Sequence, residues 1–149
     1  MAKSSIPATL KAAYLATTYR IWLPSGPVDL RVGEGCAALE KYLAENRCRA
    51  WLVITASNPA SVRLAEQENL ARLRTLGGLL QSLALPTLPA ENLADDGLWP
   101  AETGFCVAAP VMDRELAQAL GRRQGQNAVL FGEAGGLPEL LWCFPTQAD

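Results

Sequence analysis

The run AWLVITA at residues 50–56 constrains the fold more than any other stretch of the chain. It is almost wholly apolar and rich in branched side chains, which suit a strand better than a helix. A strand that shows no alternation of polar and apolar residues has to be covered on both faces. The run therefore predicts a central strand inside a layered structure.

The flanking segments supply the layers. Pro7 at an early helical position, followed by Leu10, Ala13, Tyr14 and Leu15, predicts a short N-terminal helix. Strands at residues 19–23 and 28–32 flank Pro24-Ser25-Gly26-Pro27, a reversal that makes them a hairpin. Ala38, Leu39, Tyr42 and Leu43 recur at helical spacing up to Asn46. After the central strand, Ser57-Asn58-Pro59-Ala60-Ser61 offers a turn and several N-caps, so a long helix is expected to begin there. Val62, Ala65, Asn69, Leu73, Leu76 and Leu80 would share one face of it, and Gly77-Gly78 would weaken or bend its second half. Residues 85–100, with three prolines and Asp95-Asp96, have no clear period and read as a long loop. Strands at 104–108, 127–131 and 139–144, and a helix at 113–123 opened by Asp113, complete the chain. Helices interleaved with apolar strands predict an α/β fold: a single layered domain over residues 1–149 with a mixed sheet, an N-terminal hairpin and flanking helices.

Composition narrows the function classes. The 149 residues are long enough to bury a core without a disulfide or metal staple. Thirteen basic against fifteen acidic residues leave a formal charge of −2, so no nucleic-acid partner is expected. No apolar run is long enough for a membrane span, and the N-terminal stretch lacks that of a signal peptide, so a cytoplasmic chain is expected. The four cysteines show no C-x-x-C spacing and read as buried free thiols. Histidine is absent, which excludes every histidine-dependent triad and zinc site and leaves carboxylates, thiols, hydroxyls, amines or a bound cofactor to carry any chemistry.

Asn69 is the most informative polar residue, because the predicted helix turns it toward the core, where an amide needs partners. Thr55, Asn58 and Ser61 are the nearest by topology, at the carboxyl end of the central strand, where open α/β sheets often bind ligands. Glu68 beside it has a solvated i,i+4 pairing with Arg72 as its alternative. Glu102 follows Trp99-Pro100 at the end of the predicted loop and is either an exposed acid or a second pocket carboxylate. Together Glu68 and Glu102 are the candidate catalytic pair, as general acid and base or as ligands of a divalent ion, although no metal site is assigned. Gln126 and Asn127 follow Arg122-Arg123 and are candidates for specific hydrogen bonding. Gly33-Glu34-Gly35-Cys36-Ala37-Ala38 fits a loose dinucleotide fingerprint, but the following strand lacks the ribose-binding acid, so no cofactor is assigned.

Ala13-Tyr14 with Thr18-Tyr19, the ITASNP segment, Glu68-Asn69, Trp99-Pro100 with Glu102 and Phe105, and Gly121-Arg122 with Gln126-Asn127-Ala128 resemble a bacterial family catalogued as domain of unknown function 3293. The resemblance runs from about Tyr14 to Phe131. It implies one domain, brings no activity with it, and draws together Thr55, Asn58, Glu68, Asn69, Glu102, Gln126 and Asn127. The leading expectation is a domain that binds a small polar or anionic ligand, including nucleotide-like ones, through Thr55, Asn58, Asn69, Gln126 and Asn127. The alternatives are a hydrolase-like or transferase-like enzyme using Glu68 and Glu102, and a noncatalytic domain with a protein partner, for which residues 85–100 and ELLWCF would present the surface.

Overall fold

The computed structural model describes residues 6–143. In chain order these form α1 (Ala8–Leu15), β1 (Thr17–Leu23), β2 (Gly26–Leu30), α2 (Ala37–Glu45), β3 (Ala50–Thr55) and α3 (Glu66–Ser82). Then come β4 (Thr87–Ala94), β5 (Glu102–Ala109), α4 (Arg114–Arg123), β6 (Ala128–Glu133) and β7 (Glu139–Trp142). The architecture is α/β, with one seven-stranded sheet in the order β2-β1-β4-β5-β3-β6-β7.

Every residue of β3 is buried, and the two cores explain why its sequence does not alternate. Ala50, Leu52 and Ile54 face a core completed by Leu76 and Leu80 of α3 and Ala117 and Leu120 of α4. Trp51 and Val53 face a second core with Leu39 and Leu43 of α2 and Tyr19 and Ile21 of β1. Fully burying one such leucine is worth about 1.5–3 kcal/mol, so both layers contribute to holding the strand at the centre.

The sheet is antiparallel at every pairing rather than mixed. The helical crossovers do join strands that run the same way, β3 to β4 through α3 and β5 to β6 through α4. A third strand lies inside each pair: β5 between β3 and β4, and β3 between β5 and β6. The result is the split βαβ connectivity, in which parallel partners never touch. The hairpin β1–β2 extends this unit on one side and β7 on the other. The sheet then curls until its ends approach: the Gly33 N–H, beyond β2, donates to Pro138 O, before β7, at 2.8 Å.

Several expectations fail for identifiable physical reasons. Residues 85–100 are not a loop, since Thr87–Ala94 is an interior strand between β1 and β5. Pro89 masks it in the sequence, but it stands one residue beyond the last β1 partner, Ala90 opposite Ile21, and removes no bond to β1. The long helix starts at Glu66 rather than near residue 58, because Asn58, Ala60 and Ser61 have φ of 47°, 56° and 61°, which no right-handed helix propagates. Val62 and Ala65 consequently lie outside it. Gly77-Gly78 does not interrupt α3, and Gly77 lets Phe105 approach, since a Cβ there would sit 3.3 Å from its ring. Finally, the Gly33-Glu34-Gly35 turn follows an antiparallel hairpin strand, so the parallel βαβ unit of a dinucleotide site is missing. The expected strand at 139–144 ends at Trp142 in the structure, and Phe144 lies outside the described residues.

Candidate functional site

β3 ends at Thr55, and its side chain organises the exit. The Thr55 hydroxyl donates to Thr103 O at 3.2 Å and accepts from the Ser57 N–H at 3.0 Å. The chain then turns sharply at Asn58, which is buried and sits in the left-handed region that asparagine tolerates better than most residues. Its side chain is fully engaged. Asn58 Oδ1 accepts from the Leu64 N–H at 2.8 Å and from Asn69 Nδ2 at 2.9 Å, while the Asn58 N–H donates to Asn69 Oδ1 at 2.9 Å. Asn58 Nδ2 donates to Glu102 Oε2 at 2.8 Å. Arg72 secures the same turn by donating from Nε to Ala56 O at 2.5 Å and from Nη2 to Gln124 O at 2.7 Å. Gly125 is required beside it: its φ is +69°, and a Cβ would lie 2.8 Å from that of Pro59.

Glu102 opens β5 at the edge of a cleft of about 380 Å³ lined by α1, the strand ends and the β3–α3 turn. Oε2 takes two donors, Asn58 Nδ2 and Trp99 Nε1, the latter at 2.9 Å. Oε1 accepts no hydrogen bond among the described residues. The register sets a polar row across three strands, because Glu102 pairs with Asn92 of β4 and Asn92 with Tyr19 of β1. All three face the cleft, since residues two apart along a strand share a face and these continue the α2-side core. Tyr19 is 2% exposed, and its hydroxyl has no hydrogen-bond partner among the described residues. On the opposite wall, Tyr14 of α1 meets Trp142 of β7 edge-on, with centroids 5.5 Å apart.

Burial governs the electrostatics. It raises the Glu102 carboxyl above the usual carboxylate range, and the hydrogen bonds from Trp99 and Asn58 pull it partly back. Burial and the nearby Glu102 charge push the Tyr14 phenol up to about 12, against hydrogen bonds at Ala128 and Ser61. Tyr19 is raised further by burial, then by Tyr14 and Glu102. Both phenols therefore keep their protons near neutrality, and Glu102 is the one carboxyl among the described residues that lines the cleft. Among the described residues no lysine or arginine lines it.

The structure brings Asn58, Asn69 and Glu102 into one network and sets Gln126 and Asn127 beside it. Gln126 Nε2 donates to Ser57 O at 3.1 Å, and Asn127 Nδ2 to Ser61 Oγ at 2.9 Å; both residues line the cleft. Thr55 supports the turn without lining the cleft. Glu68 stands apart: it is exposed on the first turn of α3, where Oε1 accepts from the Ala65 N–H at 3.3 Å. It neither lines the cleft nor pairs with Arg72, whose guanidinium is turned inward. The Glu68/Glu102 pair is thus not assembled, and among the described residues no group of three or more histidine, cysteine, aspartate or glutamate side chains could hold a metal ion.

Sequence reasoning missed Tyr14, Tyr19, Asn92 and Trp99 as cleft residues. Leu88, Ala90, Asn92 and Ala94 do alternate with outward residues, a strand signal hidden by Pro89 and by the acidic turn that follows. Tyr19 reads as core because its ring is core, and its hydroxyl becomes noticeable once its missing partner is known.

The comparisons with curated proteins and with solved structures give no match. Residues 54–129, from the end of β3 into β6, match the family model described as Protein of unknown function (DUF3293). That segment is just over half the chain and contains Asn58, Asn69, Glu102 and Gln126, so the chain belongs to the DUF3293 family.

Proposed function

We propose that this protein is a small-ligand-binding domain whose ligand enters the cleft beneath α1. The supporting observation is the convergence there of Glu102, Asn92, Gln126 and Asn127 with apolar α1 side chains around about 380 Å³, a size and character suited to a small molecule. The turn that holds Glu102 is over-determined by Asn58, Asn69 and Arg72, and its positive φ at Ala60 and Ser61 fits a preorganised site. Among the described residues nothing basic in the lining favours a phosphate, and α3 begins with Glu66 and Glu68 rather than with a free anion-binding end. The ligand is therefore uncharged or cationic instead of anionic. A reducing cytoplasm suits the four free cysteines, three of them buried. Among the described residues, no helix is long and apolar enough to cross a membrane.

A thermal-shift screen of nucleosides, amino acids, amines and sugars tests this reading. Compounds should stabilise the wild type and lose their effect in Ala13→Trp, which fills the cleft from an exposed helix position. Hits that stabilise both proteins equally would put the ligand elsewhere and overturn it. A second reading, an enzyme using Glu102 as general acid or base, draws on the raised carboxyl inside the cleft. Undiminished turnover of an identified substrate by Glu102→Gln would remove it.

A further inference from the structure

Two polar groups in the cleft are not accounted for by the protein itself. Tyr19 lies at the floor, 2% exposed, with its hydroxyl unpartnered among the described residues. A buried hydroxyl without a partner costs stability that a phenylalanine would not. Glu102, which lines the same cleft, takes both of its protein donors at Oε2, leaving Oε1 without a hydrogen-bond partner among the described residues. The strand register puts the two residues in one row with Asn92 between them. Around that row are Leu10, Ala13 and Ala94 together with the rings of Tyr14 and Trp99.

We propose that the cleft takes a small primary or secondary organic ammonium, its N–H groups donating to Glu102 Oε1 and Tyr19 Oη and its apolar body lying against α1. This assignment rests on the reading of the cleft as the ligand site and adds the class of ligand. Among the described residues the carboxylate is the only charge in a lining without lysine or arginine, so a cation gains a charge-assisted hydrogen bond that an alcohol cannot match. The acceptors are discrete oxygens, which favour a nitrogen carrying protons over a quaternary one. The aromatic rings favour a cation as well. An anion would meet Glu102 without compensation. Binding of the cation also favours the ionised carboxylate, so amine affinity should rise with pH as Glu102 loses its proton.

Isothermal titration calorimetry of the full chain with benzylamine, benzyl alcohol, benzoate and benzyltrimethylammonium tests the assignment. Benzylamine should bind about tenfold or more tightly than benzyl alcohol, with benzoate and the quaternary salt weaker still. Glu102→Gln is close to isosteric, since the amide oxygen can keep the Asn58 and Trp99 bonds while its NH2 replaces Oε1. It should reduce benzylamine affinity to that of the alcohol. Tyr19→Phe should weaken benzylamine several-fold while raising the melting temperature of the free protein. Failure of any amine to bind, equal or tighter binding of the alcohol or benzoate, or unchanged benzylamine affinity in Glu102→Gln would overturn the proposal. Ala13→Trp separates the two levels. Neutral compounds that bind the wild type and are lost in Ala13→Trp overturn the ammonium class and leave the cleft as the site. Benzylamine binding that survives Ala13→Trp overturns both.

Discussion

Asn58 links three segments that are far apart in sequence, and its substitution should cost accordingly. Asn58→Ala removes three side-chain hydrogen bonds, each worth about 1 kcal/mol, and puts a Cβ-bearing residue without a local hydrogen bond in the left-handed region at about 1 kcal/mol more. Urea denaturation should show a loss of about 3–4 kcal/mol, with Asn58→Gly milder by about 1 kcal/mol because glycine adopts that backbone freely. Glu102 makes the opposite case, a residue that costs stability where it stands. Its folded carboxyl holds a proton to higher pH than the unfolded chain does, so within that window the folded state binds more protons and stability falls as pH rises. Urea midpoints from about pH 4 to about pH 8 should therefore decline in the wild type relative to Glu102→Gln. The difference between the two proteins is the readout, because Asp29, Asp95 and Glu139, each paired with an arginine, act in the other direction at lower pH.

Among the elements, α3 carries a correctable weakness. Gly78 faces open space, where an added Cβ meets nothing within 4 Å, so Gly78→Ala should gain about 1 kcal/mol from helix propensity. Thermal unfolding should rise by about 2–4 °C. Gly77→Ala should gain less, since its Cβ presses on Phe105. Asp113 is already optimal at the start of α4, accepting from the Leu116 N–H at 2.8 Å, while Arg122 and Arg123 complement the other end. The paired arginines are thus helix-end residues, and Arg122 is further occupied by Cys143 O.

At the scale of the molecule, the two cores divide stability unevenly. β3 and β5 are paired on both sides and contribute to both cores, whereas α1 buries none of its residues. Amide hydrogen exchange should be slowest in β3 and β5 and fastest in α1, by orders of magnitude. Comparable protection in α1 would contradict its role as a loosely held cover. Thiol accessibility follows the same division: Cys36 is half-buried, while Cys48, Cys106 and Cys143 are buried. A thiol reagent should label one cysteine in the native protein and all four on unfolding.

The sequence by itself determined the layered α/β class, the central strand and the hairpin. These rest on local chemistry: an apolar branched run, a Pro-Gly reversal and helical spacing at Leu39 and Leu43. It also marked Asn69 as an amide in need of partners and Asn58, Gln126 and Glu102 as candidate site residues. Tertiary structure alone decided that β5 inserts between β3 and β4, which makes every pairing antiparallel, because strand order depends on long-range packing that no local pattern encodes. It decided the strand hidden by Pro89, whose tolerance depends on where the pairing of β4 with β1 stops. It separated Glu68 from Glu102, since positive φ after Asn58 delays α3 and leaves Glu68 at its exposed start. And it set Tyr19, Asn92 and Glu102 in one row, a relation that exists only through the register of three strands.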